Sequence, residues 1–189
     1  MTTMKNAKIL KKKLLVDSVK KVVEETIEFA PGDVQEWVYL DTPKSIVVVA
    51  LTPKKEVVLV NLYRHNVKQD VCELPAGGAE HANESTLQAA QRELREETGY
   101  TSEQFVDLGA YYVLPSETNR WVNYFLALDA TQTEVPKLDE LIEKYFSMSV
   151  TTAKFDELAT TRGAAAKGIT GLESLFGLQL AKEYLNKGN

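Results

Sequence analysis

The sequence is poor in the residues that staple or metallate small folds: of 189 residues, one is cysteine and two are histidine. Cys72 alone cannot close an internal disulfide, and with only His65 and His81 to join it no Cys/His spacing for a structural zinc exists. The expected setting is therefore reducing, intracellular and cytoplasmic. Long apolar runs are also lacking. The longest, Ile46 to Leu51, is far short of the roughly 18 residues a membrane span needs. The lysine-bearing start has neither an apolar h-region nor a small-residue cleavage site, so no signal peptide and no membrane partner are expected. Repeats, low-complexity tracts and composition breaks are absent, and nothing marks a second compact domain. With 44% apolar and 26% charged residues, the chain has the composition of a globular protein able to bury a core.

Basic charge is scarce beyond the N-terminal arm. Residues 1–21 carry seven lysines and one acid, so from a total of −5 (22 basic against 27 acidic) the rest of the chain holds −11. That excludes a nucleic-acid surface outside the arm. Lys5 to Lys13 could touch RNA or anionic lipid, but a solvated, frayed first segment is the plainer reading.

What is present reads as mostly strands, interrupted by one helix and closed by a second. Leu14 to Leu40 looks like short strands around the turn signal Pro31-Gly32-Asp33. Ile46 to Leu51 is a buried-strand run, and Thr52-Pro53-Lys54-Lys55 reads as the turn of a hairpin into Val57 to Tyr63. Pro75-Ala76-Gly77-Gly78 breaks the pattern. A helix is expected after Asn83, with Ser85-x-x-Gln88 as a capping box and Gly99 as its end. Leu87, Ala90 and Leu94 form its apolar stripe. Val106 to Val113 and Trp121 to Leu128 read as strands flanking the polar loop Pro115 to Arg120. A last helix opens at Thr170-x-x-Glu173, with an apolar face of Leu172, Leu175, Phe176, Leu180 and Leu185.

The first helix carries Glu93, Glu96 and Glu97 on one side. Like charges one turn apart cost a helix about 0.2–0.5 kcal/mol per pair. Arg92, four residues before Glu96, can offset one acid, which leaves Glu93 and Glu97 without an evident cation. Such carboxylates are either a solvated surface or hard oxygen ligands for a magnesium-sized ion, which is commonly shared with substrate phosphates.

The larger constellation is Gly78, Glu84, Arg92-Glu93-Leu94-x-Glu96-Glu97-x-Gly99. Seven fixed residues at this spacing arise by chance on the order of once in a million sequences of average composition. The pattern resembles the signature of the Nudix hydrolases at every fixed position, with Tyr100 where that family usually has an aliphatic residue. Asn61-Leu62-Tyr63-Arg64 and Glu73-Leu74-Pro75-Ala76-Gly77 resemble the ADP-ribose pyrophosphatase branch, as does Pro115, fifteen residues after Tyr100. One departure is an extra residue in the loop between Gly77 and Glu84.

The resemblance implies an α/β fold, an α/β/α sandwich with a mixed sheet. It divides the chain into a small N-terminal β segment over 1–43, used for an intertwined homodimer, and a hydrolase domain over 44–189. It implies that Glu93, Glu96 and Glu97 hold Mg2+, with Mn2+ as a second candidate, and that main-chain oxygen of Ala76 or Gly77 completes the ligand set. The ions would neutralise a diphosphate, orient the attacking water and lower its pKa. Arg92 is expected to orient a glutamate and Glu84 to anchor the loop, while Gly78 and Gly99 shape the motif. Glu140 is the expected general base, with Glu143 and Glu134 behind it. Arg64, Glu117 and Arg120 are the candidate substrate contacts, and Trp37 and Trp121 serve either base stacking or packing.

The resulting reading is a hydrolase that splits ADP-ribose into AMP and ribose 5-phosphate. Rival substrates are GDP-mannose or another nucleotide sugar, NADH and dinucleoside polyphosphates. Rivals of another class are a non-catalytic nucleotide-binding module and a basic-tailed RNA-binding protein whose acidic helix is only surface.

Overall fold

The computed structural model describes residues 7–18, 20–79, 83–137 and 147–187. The chain forms two compact units, one of residues up to Lys44 together with Tyr111–Trp121, the other of Ser45–Ala110 and Val122–Asn189.

The first unit is built on an antiparallel sheet of β1 (Lys8–Val16), β2 (Lys21–Ala30) and β3 (Asp33–Asp41) in that order. The turn signal acts as read: Gly32 takes φ 84 between β2 and β3. Val23 and Ile27 of the central strand are buried, whereas β1 is exposed along its whole length and Trp37 and Val38 of β3 are half exposed. The segment after Leu114 is tied to the sheet by backbone, since Leu40 N–H donates to the Glu117 carbonyl at 2.9 Å. Phe29, Trp37, Tyr39, Tyr112 and Pro115 help line a cavity of about 510 Å³ within this unit.

In the second unit β4 (Ser45–Ala50) lies inside a mixed sheet. It runs parallel to β10 (Trp121–Leu128) and antiparallel to β7 (Ala76–Gly78), and β9 (Gln104–Tyr112) borders β10. Every residue of β4 is buried. Ile46, Val48 and Ala50 share a core with Phe125, Ala127 and the helix α1 (Thr86–Thr98). A strand covered on both faces reads as one continuous apolar run. Both edges of β4 are taken, by β10 and β7, so the hairpin expected from that run does not form. The Thr52–Lys55 turn is present, with Lys55 N–H donating to Thr52 O and Thr52 N–H to Glu56 O, each at 2.9 Å, but beyond these and the bridge Leu51–Val57 no ladder forms between β4 and β5. β5 (Glu56–Arg64) instead pairs with β6 (Gln69–Glu73) and β12 (Met148–Lys154) in a separate antiparallel sheet. Between these, β8 (Tyr100–Thr101) pairs with β11 (Thr131–Gln132), and the short helices α2 (Phe155–Leu158) and α3 (Thr161–Ala166) follow β12.

Helix α1 starts and stops where the sequence says. Ser85 accepts from Gln88 N–H and Gln88 Oε1 accepts from Ser85 N–H, a complete capping box. Gly99 closes the helix in the left-handed conformation. Its buried face differs from the expected stripe: Ala89, Ala90, Leu94 and Thr98 are buried, while Leu87 is exposed. Two adjacent alanines let the helix lie close to the sheet and turn that edge inward. The rows Ala90–Leu94–Glu97 and Ala89–Glu93–Glu96 then carry the core face straight into the acids.

The last helix, α4 (Leu172–Lys187), buries Ser174, Gly177, Leu178 and Ala181 rather than the leucine face expected, and Leu172 is 78% exposed. Close approach decides this: a Cβ at Gly177 would stand 2.9 Å from Leu74 Cδ1 and 3.3 Å from Tyr124 Cδ1. No described helix is long and apolar enough to cross a membrane.

Gly99 needs both its φ of 72° and its missing Cβ, which would overlap the Glu134 carbonyl, whereas Gly32 has open space around the same position. Gly32→Ala should therefore cost about 1 kcal/mol for left-handed strain alone. Gly99→Ala should cost clearly more in urea unfolding, and equal losses would contradict this assignment.

Candidate active site

The acids of α1 face the short strand β7, which the Pro75 loop delivers beside them. Glu97 accepts the Ala76 N–H at 3.0 Å. Gly77 lies so close to Glu93 that a Cβ there would overlap its carboxylate. Glycine at this position is thus what lets the helix and strand approach.

Arg92 organises the remainder. Its Nε and Nη2 donate to the two oxygens of Glu84 at 2.9 and 3.2 Å, and Nη2 also reaches the Gly78 carbonyl at 2.9 Å. Its Nη1 donates to Glu93 at 2.7 Å and to Glu96 at 3.1 Å. Glu93 therefore has a cation after all: sequence spacing points to the residue four positions away, but here the arginine also reaches its immediate neighbour. The guanidinium, mostly buried and held chiefly by Glu84, keeps its charge far above any physiological pH.

The carboxylates respond differently. Burial pushes Glu93 above the usual range, with Arg92 pulling the other way. Glu97 is pushed up to about 8, first by burial and then by the charge of Glu93, against the pull of the Ala76 N–H and the charge of Arg64. A half-buried carboxylate that is reluctant to ionise alone is one that a divalent cation would stabilise strongly.

Among the described residues, no three acid, histidine or cysteine side chains already converge as a metal cage. Glu93 and Glu96 are turned to Arg92, and Glu97 to Ala76. The donor set nevertheless fits a hard cation: three carboxylates, main-chain oxygen on the neighbouring strand, and a space at Gly77 that a side chain would close.

The other residues singled out in the sequence lie in several places. Arg64, at the end of β5, donates through Nε and Nη2 to one Glu73 oxygen at 3.1 and 2.6 Å. Glu73 stands opposite Val60 and not opposite Arg64, whose cross-strand partner is Gln69, so strand register alone does not announce this ion pair. Glu117 and Arg120 belong to the first unit, as does Trp37; Trp121 meets Tyr112 edge to face at 4.2 Å. Glu134 is engaged by Arg95 at 3.5 Å and Lys137 at 3.7 Å. Glu140, Glu143 and His81 lie outside the described residues. Cys72 is buried, and burial pushes its thiol up, which makes it a packed side chain and not a ready nucleophile. Tyr100 packs on the α1 core at the signature's end.

Comparison with known proteins places this geometry. The profile of the NUDIX domain matches residues 41–168. An ADP-ribose pyrophosphatase of Bacillus subtilis (strain 168) is 28% identical over 141 residues, 74% of this chain and 76% of its own. A methanol dehydrogenase activator of Bacillus methanolicus is 28% identical over 116 residues, 61% of this chain and 62% of its own. The crystal structure of an ADP compounds hydrolase superposes with a TM-score of 0.82, covering 100% of this chain and 99% of that one; at 16% identity this likeness concerns the fold.

The raised Glu97 carboxyl fixes the sign of a pH effect. A folded-state value near 8, above the ordinary 4.5, gives stability that is complete below pH 4.5 and is lost as pH rises through 8. In EDTA, the urea midpoint of the unmodified protein should fall more across that window than that of Glu97→Gln, and Mg2+ should restore it most at the alkaline end. Parallel curves for the two proteins would contradict the buried carboxylate.

Proposed function

The chain belongs to the Nudix family, and on that premise we propose that it is an Mg2+-dependent pyrophosphohydrolase of nucleoside diphosphate conjugates, with ADP-ribose as substrate and AMP and ribose 5-phosphate as products. The observation that carries this reading is the Glu93, Glu96 and Glu97 group against β7, with Glu97 desolvated and receiving a main-chain N–H. A nucleotide-binding module has no need to hold three repelling acids in a half-buried position. The 28% identity to an ADP-ribose pyrophosphatase supports this substrate over GDP-mannose, NADH or a dinucleoside polyphosphate.

In this reading Glu93, Glu96 and Glu97 would hold the ion, with main-chain oxygen of Ala76 or Gly77. When bound, the cation supplies neutralisation of the diphosphate charge and activation of the attacking water. The protein's own part is positioning. Arg92 keeps Glu84, Glu93 and Glu96 fixed while leaving Glu97 to Ala76. Arg64, held side-on by Glu73, presents its outer edge to an anionic or planar group of the substrate. Glu117 and Arg120 are the further candidate substrate contacts. Glu140 accepts the proton of the attacking water, a role for which Glu134 is the poorer choice because Arg95 and Lys137 engage it.

The same reading takes the protein as a cytoplasmic homodimer. Exposed Leu14, Trp37, Val38 and Leu40 on the N-terminal sheet support self-association, and a lone buried thiol suits a reducing compartment.

The test is a panel of ADP-ribose, GDP-mannose, NADH and a dinucleoside polyphosphate incubated with the protein and Mg2+, with products identified by mass. ADP-ribose should yield AMP and ribose 5-phosphate fastest, and Glu97→Gln should slow this by several powers of ten with the fold intact. Turnover of no panel member, or full activity in Glu97→Gln, would reject the proposal.

A further inference from the structure

The loop that brings Ala76 to Glu97 is held from a distant part of the chain. Leu74 N–H, two residues before Ala76, donates to Ser174 Oγ at 3.0 Å in a fully buried bond that spans 100 residues of sequence. Ser174 itself is 5% exposed and sits on the inner face of α4. One turn further along, Gly177 leaves the notch into which the Leu74 side chain fits, with so little room that a Cβ would stand 2.9 Å from Leu74 Cδ1. Helix α4 thus grips Leu74 twice, by its amide and by its side chain.

Pro75 intervenes and has no N–H to give, although its carbonyl accepts Val48 N–H at 2.9 Å. Ala76, itself paired with Val47 of β4, therefore follows two held residues, Leu74 on α4 and Pro75 on β4. Ala76 in turn gives its N–H to Glu97. A hydroxyl on an otherwise apolar helix face, placed where a buried amide needs an acceptor, is costly to lose, because its removal takes that amide's acceptor away.

We infer that Ser174 is a positioning residue of the metal site: through Leu74 it fixes the Ala76–Gly78 strand at the spacing from Glu93 and Glu97 that divalent-cation binding requires. The inference rests on the proposed function. It assigns the last helix a part in the active site.

The test uses the whole protein and reads Mn2+ binding by electron paramagnetic resonance, so that it does not depend on turnover. Ser174→Ala removes the acceptor and should weaken Mn2+ binding by about 10-fold or more, the loss typical when a partner behind a metal ligand is removed. Leu178→Ala, a buried change on the same helix that leaves the serine in place, should lower thermal stability while leaving Mn2+ affinity unchanged. Should Ser174→Ala fail to fold, Gly177→Ala carries the test, since its added methyl displaces Leu74 and should weaken Mn2+ binding likewise. Unchanged affinity in the folded serine or glycine variant, or an equal loss in Leu178→Ala, would overturn the inference alone. Failure of the unmodified protein to bind Mn2+ would overturn the metal-dependent function and this inference with it.

Discussion

Three glutamates within five residues of one helix can share a half-buried face only if their charge is answered. In the described structure Arg92 gives that answer almost alone, spreading one guanidinium over Glu84, Glu93, Glu96 and the Gly78 carbonyl. Its planar fork is suited to this, since separate edges address separate acceptors. Glu97 lies outside its reach and is met instead by a backbone amide, so its charge is the least compensated of the set. The signature spacing follows from this arrangement. Glu84 and Gly78 must lie where the outer edge of Arg92 points, and Gly77 must be small so that β7 can approach Glu93.

The fold serves that arrangement at each end. The capping box at Ser85 and the left-handed Gly99 fix the length of α1, and Ala89 and Ala90 seat it flat on β4, so the acids emerge at the sheet's edge and not in open solvent. On the other face of the unit, α4 holds Leu74 through Ser174. The strand carrying Ala76 is thereby held by a helix that bears the site's three glutamates and by a helix that bears none of them.

Much of this was legible in the sequence, because the relevant signals are local. Pro31-Gly32, the Ser85–Gln88 box and Gly99 each encode their own conformation, and the strand runs at Ile46 and Trp121 are plain from composition. The glutamate spacing identified the site helix and, by resemblance, the family. What failed was long-range. A turn at Thr52–Lys55 does not say whether its strands stay together, and here they separate into two sheets. On α1 the expected Ala90 and Leu94 are buried and only Leu87 was misplaced, whereas leucine counts misplaced the inner face of α4, because small residues, Ala89, Ser174 and Gly177, decide where backbones approach. Glu73 behind Arg64, and Ser174 behind Leu74, are partnerships made across strands and helices that no spacing rule contains.

The central claim is that the acid face of α1 exists to hold a divalent cation that in turn holds a phosphoanhydride. Crystals soaked with Mg2+ and a non-cleavable α,β-methylene analogue of ADP-ribose test it most directly. The account predicts a cation bonded to oxygens of this glutamate group and to the bridged phosphonate pair, with Arg92 still on Glu84. A cation-free surface, with Arg92 holding both Glu93 and Glu96 as before and the analogue bound elsewhere, would contradict it.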